Sequence, residues 1–453
     1  MILPQNAVVA LVLLRFHKGT ILVWGDVRVP NSTWDSRSGA FRALAIDYPE
    51  ILRFLKSSRV DVKDEVLNLP PCPELTSSIT LRDYQAEALE AWLKSGNRGT
   101  IVLPTGAGKT VVAMAAIAHI NVPTIIIVPT IDLIEQWRDR LEAEFRVKVG
   151  AYGGGESTQG PITVSTYESA YLRAEALGNK FALMVFDEVH HLPAPSYSQI
   201  GELFAAPFRM GLTATLTRED GGHELLPRLV GNVVYAMETD DLAGTHLAHY
   251  TLEKQLVDLS PAEQAAYEAN YQVFKDYLRR KRLKLRTPRD FQRFIMRTGS
   301  DPEAREALLA RNQALDIALN SASKIDALRI LLTENADEKT LIFTQHNKLV
   351  YRISRAFLIP AITHQTSKEE RADILRRFKS GTYRRIVTSR VLDEGIDVPD
   401  ATLGIILSGT GSSREFIQRL GRLLRKKGGK QAQLVEIVAR QTQEISISQR
   451  RRR

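Results

Sequence analysis

The sequence contains a single cysteine, Cys72, among 453 residues. One thiol excludes an internal disulfide framework and argues against a cysteine-ligated zinc site, as is typical of a reducing, intracellular setting. Long apolar runs are also scarce. Residues 7–14 are apolar, but Arg15, His17 and Lys18 end the run before it could span a bilayer. We therefore expect a cytoplasmic protein without membrane contact, nucleoid-associated if the source is prokaryotic.

Acidic residues are outnumbered, with 52 Asp and Glu against 61 Lys and Arg, which gives a net charge of +9. The excess is concentrated between Lys275 and Arg297, where ten basic and two acidic residues give a net charge of +8. A basic surface suits a polyanionic partner such as DNA, although many cytosolic proteins are basic without binding it.

A glycine loop lies between an apolar run at 100–103 and an alanine-rich run at 111–120. Strand, glycine loop and helix form the context of a phosphate-binding loop. Lys109 would contact the β- and γ-phosphates and Thr110 would hold Mg²⁺, so ATP and Mg²⁺ are the expected cofactors. Leu103 stands where the full pattern has glycine, so an ordinary glycine-rich turn is the alternative. The loop residues are Thr105, Gly106, Ala107, Gly108, Lys109 and Thr110.

Two further groups of residues could act on a nucleotide. Asp187 and Glu188 follow an apolar strand, and they would serve as a Mg²⁺ ligand and as the general base for water. Arg422 and Arg425 share a helix face and could stabilise transition-state charge as arginine fingers. The alternatives are a solvated acidic turn and a basic helix that faces solvent or DNA phosphates.

Alternating apolar runs and amphipathic helices predict an α/β fold with two parallel-sheet domains. Only the first has a phosphate loop, which suggests a nucleotide held in a cleft between them. The predicted strands are 124–128, 183–186, 340–344, 385–389 and 403–407, and 131–145 is a predicted helix. We expect a small N-terminal α+β domain at 1–74, with helical spacing over 40–57, then domains at 75–240 and 241–453, the second containing a helical insertion at about 258–322.

Short motifs over residues 80–430 resemble, in order, those of superfamily 2 helicases, whose two domains are RecA-like. They are 81–85 (Q motif), 103–110 (I), 128–130 (Ia), 165–167 (Ic), 187–190 (II), 212–215 (III), 343–345 (IV), 393–399 (V) and 418–425 (VI).

Three features resemble one branch of that superfamily, the xeroderma pigmentosum group B (XPB) helicases of archaeal type. Arg218-Glu219-Asp220, just after motif III, resembles their RED motif. Residues 34–39 look like their damage-recognition domain, and the basic insertion looks like their thumb. The Leu103-Pro104 start of motif I is usual for this group.

The resemblance implies roles for individual residues. Arg82 and Gln85 would bind adenine, and Gln418 would lie near the γ-phosphate. The triplet would act with the thumb at a DNA fork, although three adjacent charges could also form an exposed loop by chance. Further cofactor-binding residues are Gly395 and Asp397, and the implied coupling or DNA-contacting residues are Thr130, Thr166, His190, Thr213, Thr215, Arg218, Glu219, Asp220, Arg279 and Arg282.

The resulting prediction is an ATP-dependent 3′–5′ DNA helicase or translocase of nucleotide excision repair or transcription initiation. Its partners would be single-stranded, forked or damaged DNA and a protein such as a repair nuclease or a subunit of a transcription and repair complex. Two alternatives remain: a double-strand translocase that does not unwind, and an ATP-driven switch or scaffold that recruits a partner.

Overall fold

The computed structural model describes residues 11–216, 220–238, 249–285, 287–389, 401–408 and 431–451. The chain divides into two compact units, Met1–Pro104 with Gly108–Glu238, and Thr239–Arg453 with Thr105–Ala107. Among the described residues, no helix is both long and apolar enough to cross a membrane.

The first unit begins with a small, largely antiparallel sheet covered by one helix. Residues 40–44 form a strand, so the prediction of helical structure from residue 40 is wrong there, and the helix begins only at Tyr48. The sheet order in the described part is β3-β4-β2-β1-β5. The elements are β1 (Val12–His17), β2 (Thr20–Trp24), β3 (Thr33–Asp35), β4 (Ala40–Leu44), α1 (Tyr48–Ser57) and β5 (Val62–Glu65).

This small sheet is packed onto the rest of the first unit. The Asn68 N–H donates to the Asn179 carbonyl oxygen at 2.8 Å, and Asn179 Nδ2 donates to the Val66 carbonyl oxygen at 3.0 Å. Leu203 fills the space beside Gly19, where a Cβ atom would lie 2.6 Å from Leu203 Cδ2. The N-terminal module is therefore held at a fixed position on the larger sheet by both polar and apolar contacts.

The larger sheet of the first unit is parallel except for the short edge strand β9. Its central strands are buried on both faces, which explains their uninterrupted apolar sequences. The strands are β6 (Arg98–Val102), β7 (Thr124–Val128), β8 (Gly150–Gly153), β9 (Glu156–Thr158), β10 (Ile162–Thr166), β11 (Leu183–Asp187), β12 (Phe208–Thr213) and β13 (Val233–Ala236). The helices are α2 (Asp83–Lys94), α3 (Lys109–Ile120), α4 (Ile131–Phe145), α5 (Tyr167–Leu172), α6 (Ala174–Leu177), α7 (Ser198–Leu203) and α8 (Leu226–Leu229).

The strand order in this sheet, β13-β6-β12-β11-β7-β10-β8-β9, determines which loops meet. Because β6, β12 and β11 are neighbouring parallel strands, their carboxyl ends lie at the same edge. The loop after β6, the turn after β11 and the segment after β12 therefore converge, and ligands of open α/β sheets bind at this edge.

The second unit contains a parallel sheet of order β14-β19-β18-β15-β17-β16 in its described part. The predicted α/β class with parallel sheets is confirmed. Its strands are β14 (His249–Val257), β15 (Thr340–Phe343), β16 (Ala361–Ile362), β17 (Arg385–Thr388), β18 (Leu403–Ile406) and β19 (Gln431–Ala439). Its helices are α9 (Pro261–Arg280), α10 (Pro288–Arg297), α11 (Pro302–Leu319), α12 (Ala322–Glu334), α13 (Asn347–Phe357), α14 (Lys368–Ser380) and α15 (Glu444–Arg451).

A buried ion pair fastens the last helix of the second unit to its sheet. Lys324 on α12 contacts Glu444 on α15, and its ammonium group also donates to the Leu407 carbonyl oxygen at 2.6 Å. The other Glu444 carboxylate oxygen accepts the Ala439 N–H at 2.9 Å. Both charges are thus compensated within the core, as buried charges require.

Candidate active site

The phosphate loop follows β6 and ends where α3 begins. Gly106 and Gly108 both have φ of +85°, a left-handed conformation that glycine adopts without steric cost. Lys109 is the first residue of α3, and its Nζ donates to the carbonyl oxygens of Leu103 at 3.1 Å and Pro104 at 3.5 Å. The free N–H groups and the positive end of a 12-residue helix therefore face this loop.

Gln85 lies directly against the phosphate loop. It is buried, its side-chain oxygen accepts the Arg82 N–H at 3.0 Å, and a Cβ atom on Gly108 would lie 2.5 Å from its Nε2. Arg82 Nη1 donates to the Tyr84 hydroxyl at 3.3 Å. The N-terminal turn of α2 thus places the Q-motif amide beside the loop, and the absence of a side chain at Gly108 lets the Gln85 amide approach the loop backbone.

Asp187 and Glu188 stand at the end of β11, on the same sheet edge as the loop. Both oxygens of the Asp187 carboxylate accept hydrogen bonds: Oδ2 from the Trp137 indole N–H at 2.9 Å, and Oδ1 from the Glu188 N–H at 3.0 Å. Burial raises the pKa of Asp187, while the Trp137 hydrogen bond and the charge of Lys109 oppose that rise.

The turn after Asp187 is fixed by Tyr167. Its hydroxyl lies 3.0 Å from the carbonyl oxygen of Asp187 and 3.4 Å from that of Glu188. Glu188 has φ of +48°, a left-handed conformation that costs energy for a residue with a side chain. Such local strain, held in place by surrounding contacts, is common at functional sites.

His190 links motif II to motif III. It is fully buried, and its Nδ1 lies 3.1 Å from Thr213 Oγ1 and 3.4 Å from Glu188 Oε2. The Thr213 hydroxyl donates to the Thr215 carbonyl oxygen at 2.8 Å. Because that bond uses the only hydroxyl hydrogen, Nδ1 of His190 carries the ring hydrogen and donates to Thr213. A continuous polar chain therefore joins the acidic turn to the segment after β12.

The remaining predicted coupling residues that the structure describes in the first unit are Thr130, Thr166, Thr215 and Asp220. The Thr166 hydroxyl caps α5 by accepting the Ser169 N–H at 3.1 Å, which gives it a structural task. In the part of the chain that the structure describes, the buried Oγ1 atoms of Thr130 and Thr215 have no hydrogen-bond partner. Asp220 Oδ1 accepts the Gly222 N–H at 2.9 Å within its own turn.

Several predicted site residues lie outside the residues that the structure describes. They are Arg218, Glu219, Gly395, Asp397, Gln418, Arg422 and Arg425.

The residues in and beside the phosphate loop suit a nucleotide and a magnesium ion. In the loop, Thr105 Oγ1 is buried without a hydrogen-bond partner among the described atoms, so a polar group of a ligand could satisfy it. Thr110 and Asp187 supply the hard oxygen donors that Mg²⁺ prefers.

The basic insertion forms a bundle of α9, α10 and α11. Aromatic side chains fill its interior, and the ring centroid of Phe294 lies 5.8 Å from those of both Phe274 and Tyr277. The arginine and lysine side chains are consequently left on the outside. The described surface of the bundle is therefore rich in positive charge.

Part of the insertion's charge is neutralised within the bundle. Lys281 lies 3.4 Å and Arg280 3.8 Å from Glu303 on α11. Because Glu303 lies outside residues 275–297, the net charge of +8 counted over that segment is larger than the charge available to a partner. Arg279 is highly exposed and contacts Asp276, and Arg282 is exposed at the end of α9 with φ of +53°.

Sequence reasoning missed two residues of this site. Trp137 lies in the predicted helix 131–145 and is buried, and its indole N–H also donates to Asp187. Tyr167 was recognised only as part of a motif, and its hydroxyl contacts the acidic turn. Apolar spacing predicts which side chains are buried but does not predict where a single buried N–H or O–H group points.

Comparison with family models matches three parts of the chain. Residues 14–66 match the xeroderma pigmentosum group B helicase damage recognition domain, 78–218 match the type III restriction enzyme res subunit, and 323–427 match the helicase conserved C-terminal domain. A relative from Sulfurisphaera tokodaii, "DNA 3'-5' translocase XPB2", is 49% identical over 98% of this chain and 100% of the relative.

The chain belongs to the XPB helicase family. The helicase prediction made from the motifs is thereby confirmed at the level of the family. A second relative, "Putative DNA 3'-5' helicase Rad25" from Haloarcula marismortui, is 33% identical over 89% of this chain but only 60% of its own length. Among solved structures, the Pyrococcus furiosus Hef helicase domain matches with a TM-score of 0.53 and 20% identity, over 82% of this chain and 98% of that domain. That likeness supports the fold alone.

Proposed function

We propose that this XPB-family chain is a Mg²⁺-dependent DNA-stimulated ATPase that moves 3′ to 5′ along DNA and opens duplex during repair or transcription. The observation that carries the proposal is the polar chain from the Asp187-Glu188 turn through His190 to Thr213. It places His190 between the Glu188 carboxylate and Thr213 at the end of the neighbouring strand β12, where it could couple the two.

Each residue of the first unit has a task in this proposal. The phosphate loop and Lys109 bind the phosphates, and Gln85 with Arg82 contacts the adenine. Bound Mg²⁺ would neutralise charge on the phosphoryl oxygens, with Asp187 and Thr110 as its protein ligands. Glu188 accepts the proton of the attacking water, and His190 passes the state of the turn to Thr213 and Thr215.

The remaining predicted residues complete the proposal. Arg422 and Arg425 would act as arginine fingers, with Gln418 near the γ-phosphate and Gly395 and Asp397 at the nucleotide. The triplet Arg218, Glu219 and Asp220 would act at a fork with the thumb. The protein partner is proposed to be a repair nuclease or a subunit of a transcription and repair complex.

A second candidate function is translocation on double-stranded DNA with little unwinding. It is favoured by the name of the Sulfurisphaera tokodaii relative, which is called a translocase. The two functions share the ATP site and differ in the DNA product.

Measuring ATPase and strand separation together distinguishes the two. We expect hydrolysis to be weak without DNA and stimulated by single-stranded, duplex and forked DNA, with opening of the fork in the same reactions. The control is Lys109→Ala, which should lose both signals. Stimulated hydrolysis without fork opening, even at low salt, would favour the translocase. A hydrolysis rate that no DNA changes would exclude both the helicase and the translocase.

The thumb supplies a separate prediction about DNA binding. Replacing Arg279 and Arg282 together with alanine should weaken DNA binding about equally for all sequences, because backbone phosphate contacts carry no sequence information. The slope of log K against log salt should become shallower by about 1 for each lost phosphate contact. The measurement is fluorescence anisotropy with a labelled fork at several salt concentrations.

A matched control removes the same number of charges elsewhere in the second unit. Arg376 and Arg377 on α14 both contact Asp373 at the surface. Replacing these two with alanine should leave the salt slope unchanged. Equal slopes for the two double variants would show that the thumb arginines face solvent.

A further inference from the structure

Asp187 has a side-chain environment that its position in motif II does not explain. The carboxylate is only 9% exposed, and each of its oxygens already accepts one hydrogen bond, from Trp137 and from the Glu188 N–H. A carboxylate oxygen has two lone-pair directions, so each retains one for a metal ion or its water. The two donors therefore fix the rotation of the carboxylate plane.

Trp137 is well suited to hold that orientation. It is 2% exposed and belongs to the 15-residue helix α4, which packs against β7, β8 and β10. A ring this large and this buried cannot turn without displacing its neighbours. Its N–H thus remains aimed at Oδ2, and a hydrogen bond to a charged acceptor is among the stronger kinds in proteins.

The backbone of the acidic turn is fixed independently. The Tyr167 hydroxyl contacts the carbonyl oxygens of Asp187 and Glu188, and β11 pairs with β7 and β12 on either side. Loss of the Trp137 N–H would therefore leave the Asp187 main chain in place and release only the side-chain torsions. Loss of this N–H should therefore change the metal dependence of nucleotide binding while the fold is retained.

We propose that Trp137 is a positioning residue that orients the Asp187 carboxylate for Mg²⁺ in the magnesium–nucleotide complex. The inference rests on the proposed function, because it assumes that the first unit binds nucleotide with Mg²⁺. Trp137 itself touches neither nucleotide nor metal, and it acts only through Asp187. Its role is that of the outer-shell partners that orient metal-binding side chains.

The test measures ADP binding by isothermal titration calorimetry with Mg²⁺ and with EDTA, and takes the ratio of the two dissociation constants. In Trp137→Phe we expect the gain in ADP affinity from Mg²⁺ to fall by about tenfold, at the lower end of the loss seen for outer-shell partners. A second variant carries benzothienylalanine at position 137, which keeps the ring shape and lacks the N–H. It should show the same loss with an unperturbed fold.

The chain offers a matched control. Trp92 is fully buried in the same unit, and its indole N–H donates to the Arg209 carbonyl oxygen at 2.9 Å, away from the acidic turn. Trp92→Phe also removes one buried indole hydrogen bond, but it should leave the Mg²⁺ ratio at the wild-type value. If Trp137 had only a structural role, the Trp137→Phe and Trp92→Phe variants would change the Mg²⁺ ratio to the same extent.

A double-mutant cycle identifies the residue through which Trp137 acts. In Asp187→Asn, which lacks the carboxylate charge, the additional Trp137→Phe change should have no further effect on the ratio. An unchanged ratio in both position-137 variants, or a full effect that persists with Asn at 187, would overturn the inference and leave the proposed function standing. A wild-type protein that binds no ADP with either Mg²⁺ or EDTA would instead remove the proposed nucleotide site itself.

Discussion

Replacing Glu188 with glutamine should lower the rate constant of ATP hydrolysis by about 10²–10⁴-fold, the usual contribution of a positioned general base. Glutamine has nearly the same size and the same backbone preferences as glutamate, so the left-handed turn at φ of +48° should persist. The amide cannot accept the proton of the attacking water. The measurement is DNA-stimulated steady-state ATPase.

Nucleotide binding should survive this change, and that distinguishes it from damage to the fold. Glu188 is not a phosphate ligand in the proposed arrangement, so the dissociation constant for ADP with Mg²⁺ should stay near the wild-type value. Glu90→Gln is the matched control, because Glu90 forms an exposed pair with Lys94 on α2. Turnover at the wild-type rate in Glu188→Gln would exclude Glu188 as the base.

The Glu188 carboxylate has a second contact that affects this reasoning. His190 Nδ1 lies 3.4 Å from Oε2 and also contacts Thr213, so the same side chain touches the water-activating position and the coupling chain. Glutamine keeps a polar group of the same size beside His190, whose Nδ1–H donates to Thr213 in both proteins. We therefore expect the variant to retain the link to motif III while losing hydrolysis.

The sequence predicted the elements of the sheets best where a single physical rule applies. Residues 124–128 are an uninterrupted apolar, β-branched run and form β7 over those residues, and 131–145 carry helical spacing and form α4 over those residues. Residues 40–44 were interpreted as helical, yet they form β4. Pairing with β2 and β3 decides that strand, and such tertiary pairing is not encoded in the local spacing.

The candidate site was predictable by residue type but not by contact. Glycine, lysine and paired acids at motif spacing indicate phosphate and metal chemistry, because few other residues can perform it. Hydrogen bonds such as Trp137 to Asp187 join positions that are far apart in sequence, and they depend on the final packing of α4 on the sheet. The same limit applies to Arg209, a charged residue within an apolar strand that turns out to be fully buried.

Arg209 leads to the largest expected effect on stability. Its guanidinium group donates to four backbone carbonyl oxygens, of Gly201 and Leu229 at 2.6 Å, Phe204 at 2.7 Å and Ala206 at 3.2 Å. One side chain thus satisfies the ends of α7 and α8 and the loop before β12. Arg209 is 0% exposed, and Phe204, Ala206 and Leu229 are buried as well. Because water does not reach these carbonyl oxygens, they depend on the guanidinium group for their hydrogen bonds.

Arg209→Met should lower the free energy of unfolding of the first unit by about 3–5 kcal/mol, because methionine fills much of the volume and leaves buried carbonyl groups unpaired. The measurement is the urea midpoint of the first-unit transition. Arg53→Met is the control: Arg53 is exposed and donates to one carbonyl oxygen, of Pro49 at 3.4 Å, so its loss should cost less than about 0.5 kcal/mol. Equal midpoints for the two variants would mean that the four carbonyl groups find other donors. A large difference would establish that this one buried cation holds α7 and α8 against the sheet edge opposite the phosphate loop, where β12 begins.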